Sequence, residues 1–204
     1  MKSLPFDNLT PTTTWPSSNS TTVTIKLRYI TGRGGSATQG LSLYLSTLVD
    51  DYQALANDAE LHRRSFDEQI NTVAEFCRTA THLIANSYGA YLWLLSRINS
   101  APSDTRVLLL SPVMGRAMDP QQMLSSRPPR LRSLESAITD GRLVLPQQVR
   151  VVTGRDDDVC TYHTAIAQCR KIGIEDLSII EDEGHNMSHA LVSKVITDFL
   201  TGGN

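Results

Sequence analysis

Long apolar runs are missing from this 204-residue chain. No stretch approaches the roughly 20 consecutive apolar residues that a helix needs to cross a bilayer, so no membrane span is expected. The opening residues MKSLPFD contain no continuous apolar segment, so no secretory signal is expected either. A surplus of one charge is also missing. Nineteen Lys and Arg against 21 Asp and Glu leave a net charge of -2 and a pI near 6.2, which gives no electrostatic case for nucleic acid. Cysteine is scarce: Cys77, Cys160 and Cys169 are an odd count without metal-like clustering. They read as reduced thiols in a cytoplasmic protein, with Cys77 in the core. A catalytic cysteine is the sharper alternative, but Cys160 and Cys169 fall beside or within a predicted helix.

What is present is enough apolar material, 40% of residues, for one substantial core, and the length fits a single domain over 1–204. Residues 10–22, rich in Ser, Thr, Pro and Asn, read as an irregular lead-in to that domain, which starts near Val23. Residues 23–30 then alternate as a strand does and run into the glycine-rich stretch Thr31-Gly32-Arg33-Gly34-Gly35. Helical spacing covers 39–49, and a short strand is weakly supported at 52–56. Ser65 and Glu68 fit a capping box ahead of a helix carrying Phe66, Ile70, Val73, Ala74 and Cys77 on one face. Further strands are expected at 82–85, 107–110, 149–153 and 177–180. Helices are expected at 88–98, 162–171 and along Leu191, Val192, Val195, Ile196 and Phe199. This alternation predicts an α/β fold: a mostly parallel central sheet with helices on both faces. Residues 115–146 interrupt the rhythm and read as a small lid-like insertion, with a short helix near 131–138.

Between the strand ending at Ala85 and the helix beginning at Tyr88 stands Ser87, with small Ala85 two positions before it and Gly89 two after. A serine in so sharp a strand-to-helix turn is lifted above the sheet, and the helix start beneath it favours developing negative charge at the Tyr88 amide. A serine hydroxyl is a poor nucleophile at neutral pH, so it needs a base, and the base needs an orienting group. Of five histidines, His82 falls in a strand, His62 in a polar loop, His163 in a helix and His189 near the first turn of the last helix. His185 instead follows Gly184 at the end of the last strand, on the sheet edge from which Ser87 emerges. The crevice outside that edge is where such sheets bind ligands. The acid comes from Gly154-Arg155-Asp156-Asp157-Asp158, again at a strand end. Asp157 is the first choice, with Asp156 and Asp158 as alternatives.

Carried by Ala85-Asn86-Ser87-Tyr88-Gly89, Gly154-Arg155-Asp156-Asp157-Asp158-Val159 and Gly184-His185-Asn186, the chain resembles the α/β-hydrolase superfamily, in particular its compact serine esterases. The order of nucleophile, acid and base agrees. The resemblance spans roughly 23–200 and implies a serine hydrolase: Ser87 attacks an ester, thioester or amide carbonyl, His185 is the general base and Asp157 orients it. It also implies that the loop after the first matching strand supplies an oxyanion amide. The family commonly has His-Gly there. Here Thr31-Gly32 stands in that place, making Arg33 the donor beside Tyr88, with Gly34 as the alternative. No metal or organic cofactor is implied, and the partner is a small acyl substrate.

Gly34 and Met114 are candidates for the substrate pocket, and Met114, Met118 and Met123 could line an adaptable apolar one. The insertion carries Arg116, Arg127, Arg130, Arg132 and Arg142 against Asp119, Glu135 and Asp140, an excess of two positive charges. Monomer and homodimer both remain open. So do a non-catalytic binding protein on the same fold and acyltransferase or lyase chemistry at the same site.

Overall fold

In the computed structural model of the protein, residues 24–119 and 124–202 are described. The expected lead-in at 10–22, Val23 and Met123 lie outside them. Six strands, β1 (Lys26–Arg33), β2 (Asp51–Asn57), β3 (His82–Asn86), β4 (Arg106–Leu110), β7 (Val149–Gly154) and β8 (Asp176–Ile180), form a parallel sheet in the order β2-β1-β3-β4-β7-β8. The two remaining strands, β5 (Ala117–Asp119) and β6 (Leu124–Ser126), pair antiparallel by themselves.

Successive side chains of a strand point to opposite faces, and the strands of this sheet divide accordingly. Leu83, Ala85, Val107, Leu109, Val149 and Val151 pack on one face against α3 (Phe66–Cys77), α4 (Ser87–Ser96), α5 (Leu131–Thr139) and α6 (Tyr162–Ile172). Leu27, Tyr29, Ile84, Leu108, Leu110 and Val152 pack on the other against α1 (Leu41–Ser46) and α7 (His189–Thr201). Burial on both faces is why the central strands read as continuous apolar runs. α4 is apolar all round, and eight of its ten residues are buried. α3 begins with the expected capping box: the Glu68 amide donates to Ser65 Oγ at 3.3 Å, and the Ser65 amide donates to Glu68 Oε2 at 2.8 Å.

Several boundaries differ from the sequence expectation. α1 is shorter than 39–49, and a further helix, α2 (Ala59–Arg63), places His62 on a helix rather than in a loop. α2 has one buried residue, Leu61, so its five residues offered no periodicity to read. Asp58 caps it by accepting from the Glu60 and Leu61 amides. The described part of 115–146 packs against α3 and α4. Arg130 pairs with Asp67 at 2.7 Å, Pro129 O accepts from the Tyr91 hydroxyl, and Leu131, Leu134 and Ala137 are buried.

The chain leaves β1 toward β2 on one side, and the later strands build outward on the other side. The C-terminal ends of β1 and β3 therefore flank the point where the winding direction reverses, and connections leaving in opposite directions open a crevice there.

Candidate active site

Ser87 sits where β3 becomes α4, with φ at +50°, a conformation rarely adopted by residues that carry a Cβ. The turn is held by close packing. A Cβ at Gly89 would stand 2.4 Å from the Thr31 carbonyl oxygen, so only a glycine lets α4 approach the end of β1 this closely. At the next residue of β1, a Cβ at Gly32 would lie 3.2 Å from Ser87 Cβ, which places the start of the glycine-rich stretch directly beside the serine. Asn86, the residue before the helix, makes no side-chain cap. It bonds instead to the hydroxyl of buried Tyr29, opposing the burial that raises that phenol's pKa.

Ser87 Oγ lies 2.8 Å from His185 Nε2, although 98 positions separate the two residues. His185 Nδ1 lies 3.0 Å from both Asp157 Oδ1 and Oδ2. Asp157 is 4% exposed, whereas Asp156 and Asp158 are exposed. Its Oδ1 accepts from the Val159 and Cys160 amides at 2.9 and 2.8 Å, and its Oδ2 from Thr153 Oγ1 at 3.4 Å. These bonds hold the carboxylate in one orientation toward the imidazole. The loop bearing His185 is brought to it by contact between backbones. A Cβ at Gly154 would stand 2.0 Å from the Glu183 carbonyl oxygen, and the Asp156 amide donates to that same oxygen at 2.9 Å. The Glu183 carboxylate in turn accepts from the Ser188 amide at 2.7 Å, closing the loop just before α7.

The Gly34 amide donates to Asn57 O at 2.8 Å and is thereby committed to β2. Tyr88 is the second residue of α4, where amides have no partner within the helix. Gly34 and Arg33 line a cleft of about 670 Å³ together with Ser87, His185 and Asn186. A second cavity of about 380 Å³ shares His185 and Asn186 and is lined by Leu41, Tyr44, Leu110, Met187 and Val192. Met114 is in neither. It is 2% exposed, with its sulfur 3.9 Å from Cys169 Sγ, so its length fills the core beside α6. Met118 is 44% exposed and also lines neither. No described residue of the 115–146 segment lines the cleft or the cavity.

Burial pushes the thiols of Cys77 and Cys169 up to about 12 and raises that of Cys160, so none is poised as a thiolate. The sequence expectation missed His62. It lies beside Tyr88, with ring centroids 5.9 Å apart, and the Arg33 guanidinium lies 5.8 Å from the Tyr88 centroid. No local pattern signals this group, because its members come from the end of β1, from α2 and from the first turn of α4, far apart in the sequence. Among the described residues no three His, Cys, Asp or Glu gather as a metal site would require, and no helix is long and apolar enough to cross a membrane.

No protein-family model and no curated protein matches the sequence. Solved structures do. The ydeN gene product from B. subtilis is 18% identical with a TM-score of 0.59, covering 87% of this chain and all of that one. TT1662 from Thermus thermophilus is 17% identical with a TM-score of 0.60, covering 88% of this chain and 89% of its own. Esterase PE8 is 15% identical with a TM-score of 0.59, covering 89% and 94%. What is shared at these identities is architecture, the six parallel strands with helices on both faces, and the chain has the α/β-hydrolase fold.

Proposed function

We propose that the protein is a carboxylesterase-like serine hydrolase acting on a carboxylic ester or thioester. The observation that carries this reading is the unbroken row Ser87 Oγ, His185 Nε2, His185 Nδ1 and Asp157, set on a serine with positive φ. As the Ser87 oxygen bonds to the acyl carbon, His185 takes its proton, and Asp157 holds the imidazole and stabilises its charge. The oxyanion is received by the amides of Tyr88 and Arg33, Gly34 being occupied by Asn57. One such donor contributes on the order of 3 kcal/mol of transition-state stabilisation. The carbon–leaving-group bond then breaks, and the departing oxygen or sulfur takes the proton from His185. The apolar cavity on the His185 side, bounded by Leu41, Leu110, Met187 and Val192, suits that leaving group. Water, deprotonated by His185, attacks the acyl-enzyme and frees Ser87.

That esterase PE8 has the same fold is consistent with this reading. The test is labelling with a fluorophosphonate probe. Wild-type protein is expected to be labelled at Ser87 and to cleave short 4-nitrophenyl esters, and Ser87→Ala to do neither. A folded wild-type protein that is unlabelled and inert toward those esters sinks the reading. Product analysis with an added alcohol acceptor separates hydrolysis from acyl transfer.

A further inference from the structure

Arg33 and His62 gather around Tyr88, the residue after Ser87, and none of the three polar side chains has a partner suited to it among the described residues. The Arg33 guanidinium, at the end of β1, forms no ion pair with a carboxylate among the described residues. It lies over Tyr88, whose hydroxyl forms no hydrogen bond there. His62 packs against the same Tyr88 ring and has its Nε2 buried without a hydrogen-bond partner among the described residues. Burial first, and the Arg33 charge second, lower the His62 pKa, while Asp58 opposes them, so at neutral pH its imidazole is uncharged. Among the described residues no Asp or Glu lines the Ser87 cleft or the adjoining apolar cavity, and Arg33 is the one Lys or Arg on either wall.

A cation without a carboxylate partner, on the wall of the cleft that holds the nucleophile, is arranged for an anion on the substrate. The leaving group must lie next to His185 to collect its proton, which assigns it to the apolar cavity on that side. The acyl chain then extends in the opposite direction, over the glycine-rich loop toward Arg33. Building on the hydrolase reading, we propose that the protein prefers acyl groups ending in a carboxylate, the half-esters of dicarboxylic acids, with Arg33, which lines the cleft, as the charged partner; Tyr88 and His62 line neither the cleft nor the cavity and back the guanidinium from behind the wall. A planar guanidinium can meet both carboxylate oxygens, which a neutral amide terminus cannot exploit.

The test compares two substrates with one leaving group: the 4-nitrophenyl monoester of adipic acid and the same ester with its free carboxyl replaced by a primary amide. Rates are corrected for uncatalysed hydrolysis. Arg33 is exposed, so solvent moderates the effect, and a preference of about fivefold in kcat/KM for the acid is expected. Arg33→Gln is expected to abolish the preference and Arg33→Lys to retain part of it. Raising the salt from 0.1 to 1 M is expected to weaken it as the screening length falls from about 10 to about 3 Å. Because the ratio is measured within each variant, a general loss of rate through the Arg33 backbone cancels, and thermal melts identify a variant that fails to fold. A ratio that is equal in wild type and Arg33→Gln, or indifferent to salt, overturns the proposal while cleavage of the amide ester leaves the hydrolase reading standing. Failure to cleave either ester, together with absent Ser87 labelling, overturns both.

Discussion

At the scale of single residues, burial separates Asp157 from its neighbours. Asp156, Asp157 and Asp158 are chemically identical, yet one is 4% exposed, bonded to two amides and a hydroxyl, and set against His185, while the other two face solvent. In the proposed mechanism the carboxylate fixes the tautomer that leaves Nε2 free to accept the serine proton. Asp157→Asn is therefore expected to lower kcat by about 10⁴-fold with little change in fold, the size of effect seen when a triad carboxylate becomes an amide. Asp156→Asn and Asp158→Asn are expected to stay within a few-fold of wild type. Steady-state kinetics on the three purified variants checks this, and a crippled Asp156→Asn beside an active Asp157→Asn contradicts the assignment.

At the scale of elements, the site depends on how closely neighbouring segments approach. α4 meets the end of β1 at Gly89, where an added methyl would overlap the Thr31 carbonyl. Overpacking of this kind costs about 1–3 kcal/mol. For a domain of this size Gly89→Ala is expected to lower the Tm by about 2–10 °C. Because the displaced strand end itself carries Arg33, fluorophosphonate labelling of Ser87 is expected to slow as well. A melt combined with a labelling time course measures both, and a variant with a lower Tm but unchanged labelling rate would show that the contact serves stability alone. The elements legible in the sequence were those with a local cause. Ser65 and Glu68 announce their helix because a capping box involves only four residues, and Ala85, Ser87 and Gly89 announce the turn because its sterics are local. α2 and the β5–β6 pair were not legible. The first has one buried position, and the second is defined by pairing between three-residue segments that carry no alternation long enough to read.

At the scale of the whole molecule, one sheet with two apolar faces supports everything placed on its edge. Leu108, in β4 at the middle of the sheet, is 0% exposed on the face covered by α1 and α7. Leu108→Ala is expected to destabilise the fold by about 2–5 kcal/mol through lost burial and a residual cavity. Urea denaturation followed by circular dichroism checks this, and a loss below 1 kcal/mol would mean that the two helices can collapse onto the gap. Since Leu110, on the same face of β4, reaches the cavity beside His185, this layer also connects core packing to the site.

The sequence alone determined the alternation of strands and helices, because hydrophobic periodicity and capping are properties of neighbouring residues. It also placed Ser87, an aspartate and His185 at strand ends, which a parallel sheet gathers on one edge. The tertiary structure decided what those edges bring into contact: Asp157 rather than its neighbours, Met114 in the core rather than in the cleft, and His62 beside Tyr88 and Arg33. The reason is distance along the chain. Contacts such as Ser87 with His185 depend on how separate loops pack, and no local pattern encodes which side chain of each loop turns inward.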